Sequence, residues 1–149
     1  MINIEELIKQ WEEDSKIDKF KLDDTTVKCA SLHAKYLEMF SDSKLRLKDA
    51  ELKFAELKKN KWLWFHGKLS KQEMDRLGWP YDPFGGNVKP LKSDLDIFYD
   101  SDVDIIKIKA KIDYLNTALE VLKEILDTIR WRHTHIKNII DFLRFTSGS

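Results

Sequence analysis

From Ser101 to Ser147 the chain contains neither proline nor glycine, and apolar residues recur at alternating intervals of three and four. The row runs Ile105, Ile108, Ile112, Leu115, Leu119, Leu122, Leu126, Ile129, His133, Ile136, Ile140 and Leu143. This is the heptad spacing of a helix that buries one stripe along its whole length. It predicts a single helix of about 45 residues, roughly 65 Å long at about 1.5 Å per residue. His133 is the one polar member of the row. Ser101 and Asp104 make a capping start. A second row, including Ala118, Val121, Ile125, Ile139 and Phe142, widens the stripe, so the helix meets more than one partner.

A second long helix is predicted upstream. Asp23 or Asp24 caps it, and Gly67 ends it just past His66. Its apolar stripe begins Val27, Ala30, Ala34, Leu37 and resumes as Leu47, Ala50, Phe54, Leu57 and Trp64. The interruption at Ser41-Asp42-Ser43 reads as a kink, a break or a shift of stripe phase. Residues 3–14, with Ile4, Leu7, Ile8 and Trp11, form a short amphipathic helix followed by a linker. Residues 70–77 form another, with Ser70 as cap and Glu73 as its reciprocal partner. Residues 78–92 hold three prolines and three glycines and read as a loop pinned by Trp79, Tyr81 and Phe84. Leu95–Tyr99 adds one helical turn.

The expected fold is all-α and a single domain. It comprises an N-terminal helix and linker (1–22), a basic long helix (23–67), a connector (68–100) and a C-terminal heptad helix (101–146). The long helices fold back as an antiparallel hairpin. So thin a hairpin cannot shield both helices from water, which predicts self-association through Ile108, Ile112, Leu115, Leu119, Leu122, Leu126, Ile129, Ile136, Ile140 and Leu143.

Charge and motif content narrow the function. Charged residues make up 35% of the chain, and 26 basic residues balance 26 acidic ones. Affinity for a polyanion must therefore come from local clusters. One cysteine, Cys29, allows no internal disulfide. The N-terminus has no basic and apolar leader pattern, and no apolar run is long enough to span a membrane, so a cytoplasmic protein is expected. There is no G-x-x-x-x-G-K-[ST] loop, dinucleotide fingerprint or G-x-S-x-G elbow, so neither catalytic residues nor a cofactor is expected. Asp100, Asp102 and Asp104 have the first spacings of a calcium loop. Ile105 and Lys111 stand where it needs glycine and glutamate, which argues against a metal.

The strongest local excess of positive charge lies between Lys44 and Lys71, where nine basic residues face three acids. Within it, Leu57–Lys68 packs four lysines and three large aromatics into twelve residues. Lysines neutralise phosphates and aromatic faces stack on bases, which is the chemistry of single-strand binding. The same residues also fit a helix end with solvated lysines and core aromatics. Lys61 continues the apolar stripe, which places it at a groove or at the end of the packed region. Trp62 and Trp64 cannot share a helix face, so at least one is structural. The aspartates from Asp94 to Asp104 fall near this end of the hairpin and are candidates to pair with its lysines. Arg130, Arg132 and Lys137 make a second candidate phosphate contact or a solvated C-terminal face.

Lys59-Asn60-Lys61-Trp62-Leu63-Trp64-Phe65-His66-Gly67 resembles the central K-x-[R/K]-x-x-aromatic-aromatic-x-G motif of UvsY-type phage recombination mediators. Leu91–Ile97 resembles that family's segment ahead of the last helix. Ile136–Asp141, with Arg144, Phe145 and Gly148, resembles its C-terminal end. The resemblance implies a non-enzymatic accessory factor that forms a homo-oligomeric ring, a hexamer or heptamer. Such a factor binds single-stranded DNA and helps load a RecA-like recombinase onto strands covered by single-strand binding protein, in the cytoplasm of an infected bacterial cell. It assigns DNA contact to Lys59 and Lys61, within a wider set of Lys58, Trp64, Phe65, His66 and Lys68. Lys61 stands where the best-known members carry arginine, and keeps the charge without the fork geometry. The competing reading is a structural coiled-coil adaptor that binds no DNA.

Overall fold

A computed structural model describes residues 2–148, and all regular structure in them is helical. The helices are α1 (Ile4–Asp14), α2 (Leu22–Phe65), α3 (Lys71–Leu77), α4 (Leu95–Ser101), α5 (Val103–Arg130) and α6 (Arg132–Ser147), with a 3-10 turn at Lys92–Asp94. The chain divides into two compact units, and α2 runs through both. One is Met1–Leu47 with Tyr114–Ser149, the other Lys48–Asp113. No helix of the described residues is long and apolar enough to cross a membrane.

The first unit is built around Leu7, Tyr36, Leu122, Ile125, Leu126 and Ile129. Leu7 carries α1 onto this core, and Asn3 starts α1 by accepting from the Glu5 and Glu6 amides. The Tyr114 hydroxyl accepts from the Ile4 amide at 2.9 Å, a second tie on the same helix start. Leu32, Met39 and Phe40 of α2 pack on the cluster.

This corrects the stripe expected in the first half of α2. Val27, Ala30, Ala34 and Leu37 are exposed, and the row Leu32, Tyr36, Met39/Phe40, Ser43 faces inward. The physical reason is area: the larger side chains remove more apolar surface from water, at about 25 cal/mol per Å². With that phase the 41–43 segment is no break. The helix runs through it and Ser43 is an ordinary buried member of the row, 1% exposed. Nor does Asp23 or Asp24 cap α2. Both lie inside its first turn, where a carboxylate favours the helix dipole.

The C-terminal segment is not one helix. It breaks at Trp131, whose ψ is 0° and whose amide is shared at 3.2–3.3 Å between the Asp127 and Thr128 carbonyls. No glycine or proline causes this. Past the break the inward position passes from His133, which is exposed, to Arg132, which is 4% exposed. The Arg132 guanidinium donates through Nη2 to the Asp14 and Ser15 carbonyls at 3.2 and 2.7 Å, and lies over the Trp11 ring at 5.7 Å. It satisfies carbonyls that the end of α1 leaves open. Half of the predicted assembly seam is buried inside the chain. Leu115, Leu122, Leu126, Ile129 and Ile136 are buried here, and the exposed apolar residues of α6 are Phe142, Leu143 and Phe145.

In the second unit the last turns of α2 run antiparallel to the start of α5. Lys109 lies over Phe54 at 5.9 Å, and farther along Lys61 reaches Asp102 and Asp104. A separate aromatic core holds Trp64, Phe65, Met74 and Leu95. Trp79 and Phe84 pin the connector on it, at 5.1 Å from Trp64 and 5.8 Å from Phe65. The Trp64 indole N–H donates to the Pro80 carbonyl at 2.8 Å. Ser70 caps α3 as expected, while the Glu73 carboxylate turns to Arg76 instead of completing a capping box.

Candidate nucleic-acid interface

The end of α2 decides which of its lysines and aromatics reach solvent. Gly67 closes it at φ +67°, with the Lys68 amide on the Leu63 carbonyl and the Gly67 amide on that of Trp64. This paired closure is what a left-handed glycine permits, and it holds the last turn rigid. The row Phe54, Leu57, Lys61, Trp64 then faces the interior. The row Lys58, Trp62, His66, spaced by four, lies about a third of a turn away, with Ala55 and Lys59 beside it.

Lys61 is 2% exposed. Its ammonium lies 2.9 Å from a carboxylate oxygen of Asp102 and 2.9 Å from one of Asp104. It also sits over the Trp79 and Trp64 rings at 3.9 and 4.6 Å. A buried ammonium persists only when it is paired, and two carboxylates and two indole faces do this here. The lysine expected to contact DNA is thus bound within the chain. Trp64 and Phe65, also expected at the interface, are 8% and 3% exposed and form the aromatic core. Asp102 takes the start of α5 as well: its Oδ1 accepts from the Asp104 and Ile105 amides, the role expected of Ser101.

The outer row makes a different surface. Trp62 is 41% exposed, and its ring stacks on His66 at 4.2 Å and 25°. The His66 Nδ1 lies 2.7 Å from the Trp62 carbonyl, so that nitrogen carries the proton and donates. Lys68 places its ammonium 5.0 Å from the Trp62 ring centre. Lys58 and Lys59 are exposed, and with Trp62 and His66 they edge a groove of about 700 Å³. Lys92 and Lys109 also line it. Lys109 is 3.4 Å from Asp100, a surface pair that water screens. The groove is walled by Leu95, Ile105 and Tyr99 and carries Asp96. Burial, and then the charge of Asp96, raise the Tyr99 hydroxyl above the ordinary phenol pKa.

Of the expected contacts, the structure therefore gathers Lys58, Lys59, His66 and Lys68 at the surface and removes Lys61, Trp64 and Phe65 from it. Trp62, Lys92 and Lys109 were not among the expected contacts. The i, i+4 row through Lys58 and His66 pointed to Trp62, whereas Lys92 and Lys109 reach the groove only through the fold. Arg132 does not serve as a phosphate contact, since it is buried on α1. Arg130 and Lys137 are exposed, Arg130 beside Asp127 at 3.4 Å. No group of three or more His, Cys, Asp or Glu among the described residues is placed to hold a metal.

Comparison with known proteins bears on the whole chain. Three crystal structures of the bacteriophage T4 recombination mediator protein UvsY share this fold. The first superposes with a TM-score of 0.81 at 23% identity, covering 99% of each chain. The second gives 0.76 at 21% identity over 95% of this chain and 98% of that one. The third gives 0.79 at 20% identity over 97% and 99%. No curated protein sequence matches. The family model described as recombination, repair and ssDNA binding protein UvsY matches residues 10–149, and the chain belongs to that family.

Proposed function

We propose that this protein binds single-stranded DNA on the outer row of α2, with phosphates on Lys58, Lys59 and Lys68 and a base on the Trp62–His66 stack. The observation that carries the reading is that exposed stack with ammonium groups around it. Stacking on an aromatic face is sequence-tolerant, as strand binding without a fixed site requires, and lysines add a salt-dependent term. The work needs no bond chemistry. Binding reshapes the strand so that a RecA-like recombinase loads where single-strand binding protein was.

Self-association multiplies the effect. The exposed Phe142, Leu143 and Phe145 of α6 supply an apolar face for copies of the chain, in a ring of six or seven. Weak single sites on one assembly then act together through effective concentration.

The test is anisotropy of a labelled oligonucleotide under salt titration, with light scattering alongside. Trp62→Ala is expected to weaken binding by about 1–3 kcal/mol without changing the assembly. Leu143→Glu with Phe145→Glu is expected to lower the mass and weaken binding together. Wild-type affinity in Trp62→Ala would remove the stack from the interface.

A further inference from the structure

The groove beside Trp62 is more than a track for phosphates. Lysines on an exposed surface suffice to hold a backbone, and a phosphodiester gains nothing from an apolar wall. This groove has both: Lys58, Lys59 and Lys92 line it, and so do buried Leu95 and Ile105. A ligand that fits carries negative charge and a flat apolar body on one backbone, as a nucleotide does.

Tyr99 adds a second, independent sign. It lines the groove, its ring is held edge-on against Phe65 at 5.1 Å, and its hydroxyl is buried without a hydrogen-bond partner. A buried hydroxyl left unpaired is unfavourable in the free protein. Its retention there has a reason if the partner arrives with the ligand. Asp96, one helical turn before it on α4, lines the same groove and offers a carboxylate to a base N–H.

We propose that the groove takes one nucleobase of the bound strand, which leaves the stack of its neighbours, passes the Trp62–His66 pair and draws the Tyr99 hydroxyl, closed to water in the free protein, out into a hydrogen bond. Its flanking phosphates stay on Lys58, Lys59 and Lys92. This rests on the reading of the outer row of α2 as the strand-binding surface and adds to it a definite base site in each subunit.

The experiment compares two labelled oligonucleotides of equal length, one of deoxycytidine and one abasic throughout, on the wild type, Tyr99→Phe and the groove-filling variant Ala55→Trp. The wild type is expected to hold the deoxycytidine strand about tenfold more tightly than the abasic one. Tyr99→Phe is expected to lose roughly threefold or more on the first strand and nothing on the second, with a melting temperature equal to or above that of the wild type. Ala55→Trp is expected to cut the preference to what the Trp62–His66 stack alone supplies. A hydroxyl with a merely structural role would lower stability and affect both strands alike, which would overturn the proposal, as would a Tyr99→Phe that binds both as the wild type does. A preference unchanged in Ala55→Trp would remove the base site and leave the Trp62–His66 stack standing, whereas equal wild-type binding of the two strands would remove the groove site and the stack together and leave only the lysine contacts. Failure of the wild type to bind either would remove these too.

Discussion

Asp102 holds Lys61 with one carboxylate oxygen and starts α5 with the other. The Lys61 ammonium is 2.9 Å from Oδ2, while Oδ1 accepts the Asp104 and Ile105 amides at 3.0 and 3.1 Å. The side chains of the pair are 3% and 11% exposed, so water screens the contact poorly. A basic residue of the lysine–aromatic motif thus fastens the end of α2 to the start of α5.

Stability follows from that pairing. Removing one partner of a buried pair strands the other charge, so Lys61→Ala is expected to cost about 3 kcal/mol. Lys59→Ala, on the surface, is expected to stay within about 0.5 kcal/mol. Urea melts followed by near-ultraviolet circular dichroism separate the two. Equal midpoints would mean that the buried pair contributes nothing.

The salt dependence of DNA binding separates the same lysines by another property. Each phosphate contact adds about 0.7 to the slope of log affinity against log salt on a single strand. Lys58→Ala and Lys59→Ala should each flatten the slope by about that amount. In Lys61→Met, studied below its melting temperature, the slope should match the wild type even if affinity falls. A flattened slope in that variant would put Lys61 on a phosphate after all.

Arg132 is the corresponding buried cation of the other unit. Its bonds to the Asp14 and Ser15 carbonyls span 118 and 117 residues of sequence. Arg132→Ala is expected to cost about 2–3 kcal/mol and to speed amide exchange in α1 more than in α5. Unchanged exchange in α1 would argue that Leu7 and Tyr114 suffice to hold it.

Acid is expected to weaken the first unit through Asp14. Burial pushes its pKa up, but hydrogen bonds from Lys35 and Tyr36 and the Lys35 charge outweigh this and hold it below the ordinary 3.8. A carboxyl lowered on folding stabilises the native state above its unfolded pKa, and that stability is lost as pH falls through the folded value. Urea midpoints are therefore expected to be level in this respect from neutral pH to about 4 and to fall below it, with a shallower fall in Asp14→Asn. Parallel acid limbs for the two proteins would exclude Asp14 as a contributor.

The order of the helices could be read from residues alone because it rests on local geometry. A run free of proline and glycine with three-four spacing is helical wherever it packs, Gly67 accepts the left-handed turn that ends α2, and Ser70 starts α3. The motif at Leu57–Lys68 was legible for the same reason: composition in a short window needs no partner. What the window could not decide was which way each side chain points. Lys59 and Lys61 are two residues apart and equivalent by type, yet one is in water and the other is buried between Asp102 and Asp104. That choice depends on the phase of α2 against α5, which is set by the apolar area the two helices bury together. The break at Trp131 has the same kind of cause, because Arg132 turns inward toward carbonyls far away in sequence. The sequence by itself determined the helices and the charge they carry. Packing, which couples residues distant along the chain, decided which of those charges stay in water and which are paired inside.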